Sequence, residues 1–202
     1  MIHPDTELRF IGPHVGHGVV ATRLIPRGTI TWVRDDLDVA FAPVAIERLH
    51  PLYAQTLRKY TFVDARGDYV LCWDHARYVN HACQASCLTG GGFDFEVAVR
   101  DIQPGEELTD DYGTLNTLDP FPCACGAPGC RGSIGPWDAE RLVDSWDATI
   151  RATFAAIALV EQPLMPLVAE RERVAQAVRD PALVPSCRAH FGPALSRLRE
   201  TT

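Results

Sequence analysis

Three cysteines lie in a short segment rich in glycine and proline, and this cluster constrains the fold more than any other feature of the chain. Cys123, Cys125 and Cys130 follow the pattern Cys-x-Cys-x4-Cys, and small residues and turn formers separate them. Such residues let the thiols converge on one ion at a Zn–S distance of about 2.3 Å. The segment has no apolar surface that would bury the thiols as ordinary core residues. We therefore predict a zinc site whose tetrahedral shell needs a fourth ligand from elsewhere.

The segment from Arg77 to Cys87 is the second unusual feature, because it combines an aromatic ring, an amide, an imidazole and two thiols. A buried Asn80–His81 pair must find hydrogen-bond partners or it destabilises the fold. This mixture is typical of a turn whose side chains bind something. We expect Cys83 to supply the missing zinc ligand, which would bring this turn beside the cysteine cluster. The other cysteines are expected to be free buried thiols: Cys72, Cys87 and Cys187.

The charge of the chain bears on its partners. The 202 residues carry a formal net charge of −7, which argues against direct nucleic-acid binding through phosphates. An acidic protein suits a basic partner such as a Lys/Arg-rich segment, and ordinary solubility charge is the alternative.

No apolar run has the roughly 18 residues of a membrane span, and the N-terminus lacks a signal-peptide pattern. We expect a cytoplasmic protein without a membrane partner.

Up to residue 136 the pattern predicts short strands and turns without a βαβ rhythm, and therefore a mainly β fold. Gly16-His17-Gly18 formally begins a G-x-G-x-x-A dinucleotide motif, but the β-branched residues that follow favour a strand over the required helix. We expect these glycines to let the backbone approach a ligand; a plain hairpin turn is the alternative. Residues 45–60 have helical spacing interrupted near Pro51.

After Trp137 the character of the sequence changes. Residues 139–160 and 164–178 carry apolar residues at helical spacing and are predicted to be two helices divided at Gln162-Pro163. Their apolar faces need a partner. We expect this segment either to dock on the β-rich part or to pair with a second copy as a homodimer.

Four motifs, taken together, resemble those of the SET-domain protein lysine methyltransferases that carry a post-SET zinc motif. They stand in the order that the family shows, across residues 8–135. The motifs are Gly16-His17-Gly18, Arg77-Tyr78-Val79-Asn80-His81-Ala82-Cys83, Gly105-Glu106-Glu107-Leu108-Thr109-Asp110-Asp111-Tyr112, and Cys123-Ala124-Cys125 through Cys130-Arg131-Gly132.

The resemblance implies a β-clip-like SET fold with a pseudoknot, divided as SET domain 1–117, post-SET zinc motif 118–136 and helical C-terminal extension 137–202. It implies that the protein uses S-adenosylmethionine to methylate lysine in a protein or peptide. Tyr112 matches the catalytic tyrosine, which also borders the cofactor. The other cofactor-binding positions are Gly16, His17, Gly18, Asn80, His81, Phe121 and Ala124, and the zinc ligands are Cys83, Cys123, Cys125 and Cys130.

The chemistry of methyl transfer to an amine adds two expectations. The amine must be neutral, so a narrow apolar channel should lower its pKa from the usual value near 10.4. Tyr60 and Tyr78 are candidates for lining this channel, and either ring could be ordinary core instead. Asp110 stands where the family usually has an aromatic residue, and a carboxylate there would favour the charged amine. A non-catalytic SET-like binding module and a methyltransferase for small amines are the alternative functions.

Overall fold

A computed structural model describes residues 1–200 of the chain. Thr201 and Thr202, the end of the predicted segment 137–202, lie outside the described residues. The strands are, in chain order, β1 (Thr6–Gly12), β2 (Gly16–Ala21), β3 (Ile30–Val33), β4 (Val39–Phe41), β5 (Thr61–Val63), β6 (Tyr69–Leu71), β7 (Asn80–His81), β8 (Cys87–Gly90), β9 (Phe93–Ala98), β10 (Glu107–Asp110), β11 (Phe121–Pro122) and β12 (Ser133–Ile134).

The main sheet has the strand order β1-β2-β10-β8-β9-β3, and β7 pairs with β10 outside this path. Most neighbours are antiparallel, but β10 runs parallel to both β7 and β8. Since Asp110 is in register with His81 and with Cys87, the end of β10 lies beside the Asn80–His81 motif. Two motifs that are far apart in sequence therefore meet at the centre of the sheet. The pseudoknot threading implied by the resemblance stays a prediction.

Residues 16–21 form a strand, as their β-branched residues predict. Val19 and Val20 of β2 are fully buried, and β2 pairs with both β1 and β10. Gly16 has a φ of +87°, a left-handed conformation that allows the tight turn between β1 and β2. The glycines are thus part of a hairpin, and β10 on the other side of β2 leads directly to Tyr112.

A small sheet of order β4-β6-β5 and two short helices lie between β3 and β7 in sequence. The helices are α1 (Pro43–Glu47) and α2 (Pro51–Tyr60). The predicted interruption near Pro51 is confirmed, because Pro51 begins α2 at a position where its missing N–H costs nothing. After α2, β5 and β6 form an antiparallel hairpin.

The C-terminal segment is helical but more broken than its spacing predicts. Its helices are α3 (Asp138–Arg141), α4 (Val143–Phe154), α5 (Arg171–Arg179) and α6 (Gly192–Glu200). The prediction of continuous helices over 139–160 and 164–178 is wrong. The first becomes a 3₁₀ turn after Phe154, and in the second Pro166 lies in a separate 3₁₀ turn before α5. Within residues 1–200, no helix combines the length and the apolar character that a membrane span requires.

The helical segment docks on the main sheet. The ring of Phe154 lies 5.9 Å from that of Phe93 and 6.2 Å from that of Phe95, both on β9. Ile150, Val174 and Phe154 share one buried cluster with residues of β3, β8 and β9. The apolar face of the segment is therefore used within one chain, and a homodimer through it stays a prediction.

We expect the Phe154→Ala variant to lose about 3–5 kcal/mol of unfolding free energy, because the fully buried ring leaves a cavity between sheet and helix. Urea denaturation followed by circular dichroism measures this loss. The matched control is Leu159→Ala, since Leu159 is 81% exposed. Equal stabilities of the two variants would contradict a docked helical segment.

Candidate active site and metal centre

The glycine hairpin and the Asn80 side chain are in direct contact. The Asn80 amide donates to the His17 carbonyl at 3.0 Å and to Glu107 Oε1 at 2.6 Å. Gly18 leaves no room for a side chain, because a Cβ there would lie 2.2 Å from Glu107 Oε1 and 2.9 Å from Asn80 Nδ2. The close packing of β2, β7 and β10 thus depends on Gly18.

His81 connects this hairpin region to Tyr112. Its Nδ1 accepts the backbone N–H of Tyr112 at 3.1 Å, and its ring lies 5.5 Å from the Tyr112 ring and 6.2 Å from that of Phe121. Burial lowers the pKa of His81, which agrees with a neutral imidazole that accepts at Nδ1. Gly16–Gly18, Asn80, His81, Tyr112 and Phe121 therefore form one continuous group.

The phenol of Tyr112 donates to the Val79 carbonyl at 2.7 Å. Burial raises the pKa of Tyr112, and the carboxylates of Asp110, Glu96 and Glu107 raise it further. The hydroxyl is consequently neutral across the physiological range. Its proton is held by Val79, while its oxygen lone pairs stay available to a ligand.

Asp111, which precedes Tyr112, is 3% exposed and accepts hydrogen bonds from three parts of the chain. Arg131 makes a bidentate pair with it at 2.9 and 2.5 Å. Trp146 Nε1 on α4 donates to it at 3.1 Å, and the Gly113 backbone N–H at 3.0 Å. The buried carboxylate is thus fully paired, and it joins the cysteine loop and the helical segment to the Tyr112 turn.

The structure brings Cys83 to the cysteine cluster. Cys123 Sγ lies 3.7 Å from Cys83 Sγ and 3.6 Å from Cys130 Sγ. The edge of a tetrahedron with Zn–S bonds of about 2.3 Å is about 3.8 Å long, so these separations fit a zinc–thiolate shell. The Cys83 backbone N–H donates to Cys125 Sγ at 3.5 Å, and that of Arg131 to Cys83 Sγ at 3.4 Å.

His81 is a further donor near these sulfurs. Its Nε2 lies 3.4 Å from Cys83 Sγ, and one donor atom from each of His81, Cys83, Cys123 and Cys125 lies within 4.8 Å of the others. The zinc ligands predicted from the sequence did not include His81. Its place next to Asn80 in the motif indicated a contact with the cofactor instead. Ala124, the last predicted cofactor contact, is exposed between two of the cysteines.

A cavity of about 540 Å³ opens on the other side of Tyr112. Tyr60, Asp110, Tyr112 and Phe121 line it. Tyr78 does not line it; its ring packs between Tyr60, at 5.4 Å, and His17, at 6.2 Å. Of the two predicted channel tyrosines, only Tyr60 therefore faces the cavity.

Other lining residues were not singled out by the sequence. Glu96 of β9 and Trp32 of β3 face the cavity, and so does His190 from the helical segment. The Asn116 amide donates hydrogen bonds to the His190 carbonyl and, at 3.1 Å, to the Val63 carbonyl. Polar and apolar residues alternate along β9, and no local signal shows that Glu96 faces a cavity also lined by residues 58–63.

The comparisons with known proteins agree with this arrangement. Residues 16–113 match the family model described as SET domain. A histone-lysine N-methyltransferase, H3 lysine-36 specific, from Aspergillus oryzae is 38% identical over 116 residues, which are 52% of this chain and 11% of that protein. Histone-lysine N-methyltransferase Set2 of Drosophila melanogaster is 33% identical over 135 residues, 59% of this chain and 6% of that protein.

A histone-lysine N-methyltransferase, H3 lysine-4 specific, from Schizosaccharomyces pombe is 44% identical over 65 residues, 29% of this chain and 7% of that protein. The match therefore spans only a small part of the length of these relatives.

Proposed function

We propose that this chain, whose residues 16–113 match the SET domain family model, is an S-adenosylmethionine-dependent protein-lysine N-methyltransferase. The observation that carries the proposal is the position of Tyr112. It borders the Gly16–Gly18, Asn80 and His81 group on one side and the cavity on the other. A methyl transfer needs such a position, because donor and amine must meet in line at one point.

The cofactor would lie against the glycine hairpin. The bound sulfonium supplies an electrophilic methyl group. Gly16 is only partly buried and a Cβ there would meet nothing within 4 Å, so a ligand can approach this backbone closely, and Asn80 donates to the His17 carbonyl at the same edge. Phe121, whose ring lies 6.0 Å from that of Tyr112, offers an apolar face to an adenine, with Ala124 nearby on the same segment.

The substrate amine would enter through the cavity. Aromatic rings such as Tyr60 and Trp32 line it, and an apolar enclosure disfavours the ammonium form. The neutral Tyr112 hydroxyl and the Val79 carbonyl form a fixed pair at its inner end. Their oxygens can align the amine and interact with the partial positive charge on the methyl group.

A zinc ion held by Cys83, Cys123, Cys125 and Cys130 would keep these parts together. The separations of Cys123 from Cys83 and from Cys130 fit the edges of a tetrahedral shell, and Arg131 follows directly after Cys130. Since Arg131 pairs with Asp111, the ion would support the turn that carries Tyr112. The role of the post-SET zinc loop is therefore to position the catalytic tyrosine and Phe121.

For the substrate we propose a lysine in a basic protein segment. The chain has a net charge of −7, which favours the approach of a positively charged partner. The names of the relatives specify lysines of histone H3, and histone H3 is therefore the first protein to test.

The test is methyl transfer from isotopically labelled S-adenosylmethionine to histone H3, to a pool of lysine-containing peptides and to free lysine. Mass spectrometry should find the label on lysine side chains of protein or peptide. Labelling of free lysine alone would favour the small-amine alternative. Absence of label on every probe, with the cofactor bound, would favour a non-catalytic module.

We expect the Gly18→Ala variant to bind S-adenosylmethionine at least tenfold more weakly and to lose about 1–3 kcal/mol of stability, because its Cβ overlaps Glu107 and Asn80. Calorimetric titration and thermal denaturation measure both effects. Gly12→Ala is the matched control on the same hairpin, since a Cβ there meets nothing within 4 Å. Unchanged cofactor affinity in Gly18→Ala would argue against the assigned cofactor site.

A further inference from the structure

Asp110 is a buried carboxyl whose role the proposed reaction has not yet used. It ends β10, is 1% exposed and lines the cavity. Its Oδ1 accepts the Asp111 backbone N–H at 2.7 Å, whereas its Oδ2 has no hydrogen-bond donor among the described residues. A buried carboxylate oxygen without a donor is costly, so it needs a proton or a cationic partner.

The neighbour of Asp110 in the cavity is a second carboxyl, that of Glu96. Glu96 lies on β9 and lines the same cavity, and burial together with the negative charge of Glu96 raises the pKa of the neighbouring Asp110. Two buried carboxyls at such close range do not both ionise, because their like charges repel, so one of them keeps its proton. The pair therefore holds one proton and one negative charge, and it can take up a second proton.

We propose that the Asp110–Glu96 pair accepts the proton of the substrate ammonium inside the cavity, an inference that rests on the proposed function. An N–H bond of the ammonium breaks and an O–H bond forms on the pair. The electron pair stays on nitrogen, where it becomes the nucleophile for the methyl group. The singly charged pair becomes neutral in this step, and it returns its extra proton to water through the open cavity.

The shared proton resolves a conflict at this position. A fixed carboxylate beside the amine would only stabilise the ammonium form. Burial and the neighbouring carboxylate raise the pKa of Asp110 well above its usual range, and burial raises that of Glu96. The apolar cavity lowers the pKa of the amine at the same time. The two proton affinities thus approach each other, which is the condition for efficient proton transfer.

The other titratable groups around the pair do not compete for this role. Burial raises the pKa of Cys87 to about 12 and raises those of Cys72 and Tyr112 as well, so all three stay protonated near neutral pH. Burial lowers the pKa of His81, which lies opposite Asp110 on β7. The charge of Asp111 is compensated by Arg131. Lys59 and His190 also line the cavity, whereas the pair combines burial with a carboxylate oxygen that has no donor among the described residues.

The test compares Asp110→Asn and Glu96→Gln with the wild type across a pH series, using labelled S-adenosylmethionine and histone H3 with the lysine peptide pool. We expect kcat/KM of each variant to fall about a hundredfold at neutral pH. It should recover as the pH approaches the pKa of the free lysine amine. Cofactor affinity should not change. Asp144→Asn and Glu140→Gln are the matched controls, because both side chains are exposed on the helical segment.

The outcomes separate this inference from the proposed function. A wild type that labels none of the probes would contradict the methyltransferase activity itself. A wild type that is active, with variants of equal rate and equal pH profile, would overturn the role of the pair alone. A loss of the same size at every pH would indicate that the pair only positions the substrate, and would also overturn it. Thermal denaturation of each variant checks that the fold is intact.

Discussion

The Tyr112→Phe variant is expected to transfer methyl groups roughly 10²–10³-fold more slowly than the wild type, with little change in cofactor affinity. The substitution removes one hydroxyl, which lies between the cofactor group and the cavity and donates to Val79 at 2.7 Å. That hydroxyl interacts most strongly with the reacting groups while the methyl is transferred, so its loss should lower kcat far more than it changes KM.

Single-turnover kinetics with labelled S-adenosylmethionine measures this effect without interference from product release. Tyr53→Phe is the matched control, since Tyr53 is 68% exposed and far in sequence from the site motifs. Loss of the bond to Val79 should cost only about 1 kcal/mol of stability. If the Tyr112 and Tyr53 variants have the same rate, the catalytic role of Tyr112 is excluded.

The Cys123→Ser variant is expected to lose its zinc and about 3–5 kcal/mol of stability, which would lower Tm by roughly 10 °C. The Cys123 sulfur lies 3.7 Å from that of Cys83 and 3.6 Å from that of Cys130. It therefore links the turn that carries Cys83 to the rest of the cysteine loop. Without the ion, the loop no longer holds Arg131 against Asp111. Methyl transfer should therefore fall together with the zinc content.

Elemental analysis of the purified protein measures zinc directly, and we expect about one ion per chain in the wild type. The matched control is Cys187→Ala, because Cys187 is a fully buried thiol on the helical segment, outside the cluster. It should keep its zinc. A Cys123→Ser protein with full zinc content and unchanged Tm would contradict the assignment of the ligands.

Some features of this site could be predicted because their signals are local. The spacing of Cys123, Cys125 and Cys130, and the turn formers between them, indicate metal binding before any contact is known. The unusual segment from Arg77 to Cys87 then offered Cys83 as the fourth ligand, and the family resemblance agreed with it. The structure brings Cys83 within 3.7 Å of Cys123 although 40 positions separate them in sequence.

Other features depend on contacts that one sequence does not encode locally. Glu96 sits at a position of β9 that polar–apolar alternation assigns to solvent, yet it lines the same cavity as residues 58–63. Contacts between segments distant in sequence likewise decide that Tyr60 faces the cavity and that Tyr78 packs beside His17. Which face of a short strand is covered is decided by segments that are distant in sequence.

The helical segment shows a similar difference between local pattern and tertiary structure. Apolar spacing correctly predicted helices, but it did not predict that Pro166 and the 3₁₀ turn after Phe154 would divide them. Nor did it predict that Asn116 would bind the His190 carbonyl and make this segment a wall of the cavity. Asp110 could be singled out only because it departs from the aromatic residue that the family usually has.

A crystal structure of the protein with S-adenosylhomocysteine, the demethylated form of the cofactor, tests the central claim most directly. We expect the ligand to lie against the backbone of Gly16–Gly18 and beside Asn80 and His81, with its sulfur directed at Tyr112 and the cavity beyond it. A ligand bound at any other place, or no ligand at saturating concentration, would contradict the proposed methyl transfer at this site.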